Sequence, residues 1–385
     1  MGKAAVIGSS NNVSLSGTTG AGAGSAVSGL GVFGSDNTVT TASGNITGAS
    51  ILGTNNVLRT TTANSSNTNV MLAGDSNTVT AAQSLTGSNA GSNTHVYTTG
   101  DNTVTATGGT NSGVFVDGIN STVSATYNST TGSNTTINAA GNGNQVTANG
   151  GTNATVGILG SSNIVDAAAT TSTNRNAVLL GNSNTVRAST ANSTNDTVLA
   201  ALGATISASQ LTAAGSNTRV SATNTSSVTA SGGANSDIDV NGQSNTIAAN
   251  YSGISGSNDD VTVTGANNSV TANGGSNTNV NVEGRNNGIT TNYNALGAVN
   301  DNVRASGYLN NITASGATVA GRNTDVGLEG SSNIATASGG TNNNVGVSGS
   351  GNTVQASYAS ASGSNNRAQV LGSNNNVNAA GGFNN

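Results

Sequence analysis

Asn277-Thr278-Asn279-Val280-Asn281-Val282-Glu283-Gly284-Arg285-Asn286-Asn287-Gly288-Ile289 contains two linked patterns. The first is Asn-x2-Val-x3-Gly, at Asn277, Val280 and Gly284. The second is Gly-x2-Asn-x-Ile/Val, at Gly284, Asn287 and Ile289. Working outward, the first pattern returns C-terminally at Asn300/Val303/Gly307, Asn323/Val326/Gly330, Asn342/Val345/Gly349 and Asn365/Ala368/Gly372. N-terminally it returns at Asn258, Asn235, Asn174, Asn153, Asn134, Asn111, Asn93 and Asn67, each followed by an aliphatic residue three positions on and Gly seven positions on. After Asn195 the Gly is displaced to Gly203, and after Asn217 it is replaced by Asn224. The period is about 21 residues, which makes roughly 18 turns of one repeated unit.

Alternation with period two marks both halves of the repeat as strands. In the first half Val261 and Val263 share a face opposite Asp260 and Thr262. In the second half Asn77, Val79 and Ala81 share a face opposite Thr78 and Thr80. The Gly between them suits a bend because it takes positive φ without a steric penalty. Two strands per turn, stacked turn on turn, predict an all-β chain: a single parallel β-solenoid of about 18 coils, with a variable return segment closing each coil. Short returns read Thr-Ala-x-Gly-Gly, as at 271–275; long ones carry Tyr127, Leu211, Tyr251, Tyr293, Leu296 or Tyr358 and are expected to add a third short strand. Residues 1–43 read as irregular N-terminal coils, residues 44–385 as regular repeats, with no separate second domain.

Composition agrees with a repeat stack better than with an ordinary core. Only 6% of residues are charged and 2% aromatic, with 55 Gly and no Pro, Cys or Trp. Such a composition without periodicity would describe a disordered tract; here the aliphatic residues stay in register. A net charge of −5 with scattered basic residues argues against nucleic-acid binding. The absence of Cys excludes disulfides and thiolate metal sites. No run of apolar residues is long enough to span a membrane as a helix, and no signal-peptide core precedes the repeats. Extracellular or cell-surface localisation is expected, with a signal removed or release inside a virus particle.

Small aliphatic side chains make a thin core, so the inward asparagines are expected to contribute. Parity divides them into two groups. Asn77, Asn144, Asn163, Asn184, Asn245, Asn268, Asn287, Asn310, Asn333, Asn352 and Asn375 lie two residues before an inward aliphatic or Ala position, so they point inward and form a structural ladder from coil to coil. Asn67, Asn111, Asn153, Asn235, Asn277, Asn323 and Asn342 lie three residues before Val or Ile, which by strict alternation puts them at a corner, bonding the turning backbone.

Gly-x2-Asn-x-Val, two strands per repeat and a period of about 21 residues resemble the curlin repeats of curli-type bacterial fibres. That resemblance implies an extracellular fibre of stacked coils. Curlin repeats also carry inward Gln partners, which are nearly absent here.

No catalytic constellation emerges, and neither an enzyme nor a cofactor is expected. His95 is the only histidine and is expected to face solvent. Asp237, Asp239 and Asp260 fall on outward positions of neighbouring coils, a solvated patch or a weak cation site. The half-turn positions hold Asn where calcium-binding solenoids need Asp, so no metal site is predicted. Thr38/Thr40, Thr78/Thr80, Thr103/Thr105 and Thr122/Ser124 form outward pairs of the kind used by ice-binding solenoids, interrupted later by Asp166, Arg187 and Gln355. The expected function is a structural solenoid that stacks with copies of itself. The alternatives are an adhesin or viral fibre touching glycans through Tyr127, Tyr251 or Phe115, and an ice-binding protein.

Overall fold

Ser276–Arg285 and Gly288–Tyr293 are the two strands of the quoted repeat. Both are rich in β-branched residues and Asn, and both pair in parallel with the same strands of the neighbouring coils. In this computed structural model the described residues are 2–15, 27–41, 45–60, 66–81, 92–107, 110–126, 133–148, 152–167, 173–188, 194–209, 216–231, 234–250, 257–273, 276–293, 299–316, 322–338, 341–357, 364–367 and 369–379. Every described window but the last two supplies one coil, and those two together supply another. Tyr127, Leu211, Tyr251, Leu296, Tyr358 and most of the short returns fall outside these windows, and so does the third strand expected there.

The chain divides into two compact units, residues 1–190 and 191–385. Each is a parallel β-solenoid of nine coils. A first sheet collects the Asn-x2-Val strands and a second collects the Gly-x2-Asn-x-Val strands. Register is strict: Val261 pairs with Val280 and Gly265 with Gly284 in the first sheet, Val270 with Ile289 in the second. Described strands of residues 1–43 obey the same rule, with Ala4 to Ile7 paired to Leu30 to Phe33. What distinguishes these coils is residue type: Val27 and Ile46 occupy the column that Asn67 and its successors hold later.

Between the sheets lies a core of small aliphatic chains. Val261, Val263, Val280, Val282, Val270 and Ile289 are all at most 1% exposed. The bend between strands is made by glycines such as Gly284, with φ of 130°. A Cβ there would overlap the carbonyl oxygen of Gly265 in the coil below. Glycine is therefore required twice, by the left-handed backbone and by the close stacking of corners.

One expectation from parity needs correcting. Asn67, Asn111, Asn153, Asn235, Asn277, Asn323 and Asn342 do not sit at a corner; each is inside a strand and 0% exposed. Strict alternation fails because the second residue after each Asn takes a left-handed conformation. Asn279 has φ of 51°, Asp260 of 49° and His95 of 51°. That residue bulges out of the ladder and resets the alternation, so Asn277, Val280 and Val282 all face the core. The same column holds Gly29, Gly48 and Gly113, Asn69, Asn302 and Asn344, and Asp237 and Asp325, all at positive φ. A column so rich in Gly, Asn and Asp was the available sequence signal for the bulge.

Candidate functional site

Two internal asparagine columns run through each unit, and they are built differently. In the column at the bend, each backbone N–H donates to the side-chain oxygen of the next coil. Asn268 donates to Asn287 at 2.9 Å, Asn287 to Asn310 at 3.0 Å and Asn310 to Asn333 at 2.9 Å. Asn333 then donates to Asn352 and Asn352 to Asn375, both at 2.9 Å. Most Nδ2 groups reach back to a corner glycine of the coil before, as Asn287 does to the Gly265 carbonyl at 3.1 Å and Asn310 to that of Gly284 at 3.2 Å. In the first unit Asn77, Asn144, Asn163 and Asn184 belong to this column; in the second, Asn245 joins those above. Asn11, Asn37, Asn56 and Asn102 also belong to it.

The bend column tolerates serine. Ser121 Oγ accepts the Asn102 N–H at 3.2 Å and donates to the Gly100 carbonyl at 2.8 Å, imitating both ends of the amide. Ser226 accepts from the Ala204 N–H in the same way, at 3.3 Å. Alternation alone does not reveal these substitutions; register does.

The column within the first-sheet strands is a true side-chain stack. Asn93 Nδ2 donates to Asn111 Oδ1, Asn111 to Asn134, Asn134 to Asn153 and Asn153 to Asn174, at 2.8–2.9 Å. In the second unit it runs Asn235 to Asn258, Asn258 to Asn277, Asn277 to Asn300 and Asn323 to Asn342, at 2.8–3.0 Å. The second Nδ2 hydrogen crosses the core to a carbonyl of the facing sheet, from Asn93 to Thr105 and from Asn258 to Thr271. These amides clamp neighbouring coils and the two sheets at once. Buried amides whose donors are all used are stabilising, and stacks of them polarise one another. The stack has a visible start: Asn67 Oδ1 is buried without a donor, because Ile46 stands below it.

Outside, the bulge column forms short exposed ladders in the second unit. Asn302 donates to Asn279 at 2.7 Å and Asn279 to Asp260 at 2.9 Å. Asp260 is thus engaged by an amide, and among the described residues no three His, Cys, Asp or Glu side chains converge as metal ligands. Arg219 makes a bidentate pair with Asp196, and that hydrogen bond, followed by the charge, holds its guanidinium pKa above the usual value. His95 is exposed, its ring beside Gly113 of the next coil.

The outer faces differ between sheets and between units. On the second sheet Thr78, Thr103 and Thr122 align, as do Thr80, Thr105 and Ser124. On the first sheet of the first unit the outward residues include Phe33, Leu52, Met71, Tyr97 and Phe115, all at least 39% exposed. Tyr97 and Phe115 stack with ring centroids 5.2 Å apart. The equivalent columns in the second unit carry Arg304, Glu329 and Gln369, and Gly327 with Gly346 leaves a trough of about 590 Å³ between them.

Strand register, thin core and paired amide columns define a parallel β-solenoid repeat protein. Among the described residues there is no helix long and apolar enough to cross a membrane. No known family matches the chain, and no curated protein matches it.

Proposed function

We propose that this chain is a structural β-solenoid, acting without catalysis outside the cell or at its surface, whose coils stack on those of another copy to make a filament. The observation that carries this reading is the one-way polarity of the bend column. Each rung gives its N–H to the next coil and most return an amide to the coil before, so one face of a coil presents a side-chain oxygen and amide where the opposite face presents a backbone N–H and a glycine carbonyl. Asn375 accepts from Asn352. Inward Val370, in the same coil, is 36% exposed where its register partner Val347 is 3% exposed. A column of this polarity, kept in register from coil to coil, can continue from one copy into the next, and a heterologous contact of this kind propagates without closing. The curlin resemblance supports the same reading, since stacked amide rungs are what a fibre of coils repeats.

Electron microscopy of the purified protein tests it. Filaments are expected, shortened by Val370→Lys. Monodisperse single chains by light scattering, with no filaments at any concentration, overturn the proposal.

A second reading is favoured by one observation, the aligned threonines of the second sheet. Three coils carrying Thr78, Thr103 and Thr122 beside Thr80, Thr105 and Ser124 present a regular array of hydroxyl and methyl groups, the feature on which an ice-binding reading rests. Thermal hysteresis measured on the wild type and on Thr103→Lys decides it; absence of activity at high protein concentration removes the idea.

A further inference from the structure

The outer face of the first sheet in the first unit carries an apolar patch with an internal order. Two outward columns run up its first six coils, two residues apart on each strand. One reads Ala5, Gly31, Ser50, Met71, Tyr97, Phe115, and the other Ile7, Phe33, Leu52, Ala73, Thr99, Asp117. Every coil holds one large and one small residue. The large one changes column at the midpoint, between Leu52 and Met71. Ile7 is 76% exposed, Leu52 50% and Met71 45%. Asn138 and Ala140 of the seventh coil interrupt the block, and Leu159, Val178 and Leu180 stand in the same columns of the eighth and ninth.

We propose that this face binds a second copy of the chain, face to face and antiparallel, about a two-fold axis parallel to the strands between the third and fourth coils. That axis reverses coil order and keeps each column over itself. Ala5 then faces Phe115, Gly31 faces Tyr97 and Ser50 faces Met71. In the other column Phe33 faces Thr99 and Leu52 faces Ala73, while Ile7 and Asp117 meet at the rim. Large side chains then oppose small ones in both columns, with Tyr97 of the second copy meeting the Phe33 ring that lies over Gly31, and the change of column at the midpoint is what sets this pattern. Had all the large residues stood in one column, the same axis would set them against each other.

A second copy is favoured over other occupants by pitch and by size. A second copy repeats its side chains at the same strand spacing of about 4.8 Å along the whole patch. Six of the twelve positions carry large apolar side chains that are each 39–76% exposed, the kind of face a stable partner covers. On a monomer, a contiguous apolar patch of this extent marks an interaction site. The outward columns of the second unit, with Arg304, Glu283 and Glu329, offer no such surface.

This inference does not rest on end-to-end stacking, and the two are read separately. The chain lacks cysteine, so single-cysteine variants report one position each. A mixture of Ser50→Cys and Met71→Cys chains is expected to give an oxidised two-chain product. Ser50→Cys mixed with Leu52→Cys, the pair that a parallel arrangement would bring together, should give little. Below the concentration that forms filaments, the wild type should sediment with the mass of two chains. Leu52→Glu/Tyr97→Glu should sediment as one chain with an unchanged circular dichroism spectrum and should still form filaments. A wild type that sediments as a single chain, or cross-linking that favours Ser50→Cys with Leu52→Cys, overturns the proposal.

Discussion

Replacing Asn287 by Ala should destabilise the second unit far more than replacing Asn281, six residues away on the outer face. Asn287 is 2% exposed and holds three groups. Its Oδ1 accepts the Asn268 N–H at 2.9 Å, and its Nδ2 donates to the Gly265 carbonyl and to Asn310 Oδ1, both at 3.1 Å. Alanine leaves the Asn268 N–H buried with no acceptor, which alone costs about 1–3 kcal/mol. The Gly265 carbonyl loses its amide, whereas Asn310 Oδ1 keeps the Asn287 N–H at 3.0 Å. With the small cavity added, the total is about 3–4 kcal/mol. Asn281 is exposed, and its loss should cost within about 0.5 kcal/mol. Asn287→Ser should fall between them, since Ser121 and Ser226 show the hydroxyl accepting the same N–H. Guanidinium unfolding followed by circular dichroism gives the stabilities. Hydrogen exchange at the Asn268 amide gives the local effect, expected to quicken about 10-fold for each 1.4 kcal/mol lost. Equal midpoints for Asn287→Ala and Asn281→Ala, with unchanged exchange at Asn268, would refute the load assigned to the bend column.

Three further outcomes follow from particular atoms. Thr98 is buried at 0% exposure with Oγ1 lacking a partner, in a column where Leu72 and Val116 are its neighbours. Thr98→Val should raise stability by about 1–2 kcal/mol, read as a higher denaturation midpoint. Gly349→Ala places a methyl on the Gly330 carbonyl at φ of 124°, whereas a Cβ at Gly346 meets nothing within 4 Å; the first should cost more than about 3 kcal/mol and the second under about 1. Asp196→Asn removes the ion pair with Arg219, whose side chain is 60% exposed. Only a small change in stability is expected, and it should vanish in high salt.

Much of this architecture was legible in the residues alone. Alternation at Val261/Val263 and at Asn77/Val79/Ala81 identified both strands, and the recurring Gly marked the bend, because side-chain period and positive φ are local properties of the chain. The inward bend column followed from the same parity, since Asn287 sits two residues before Ile289. The strand column did not follow. Asn277 lies three residues before Val280, and only the left-handed bulge at Asn279 turns both to the core. Conformation at that residue is set by the coils stacked on either side, which supply Asn258 and Asn300 as partners for Asn277. Register likewise decided what composition could not: that Ile46 lies beneath Asn67, that Ser121 and Ser226 stand in for asparagine, and that the large residues of one outer face change column halfway along it. A linear sequence specifies what each coil carries. Which side chains become neighbours depends on returns of unequal length, and only stacking the coils aligns them.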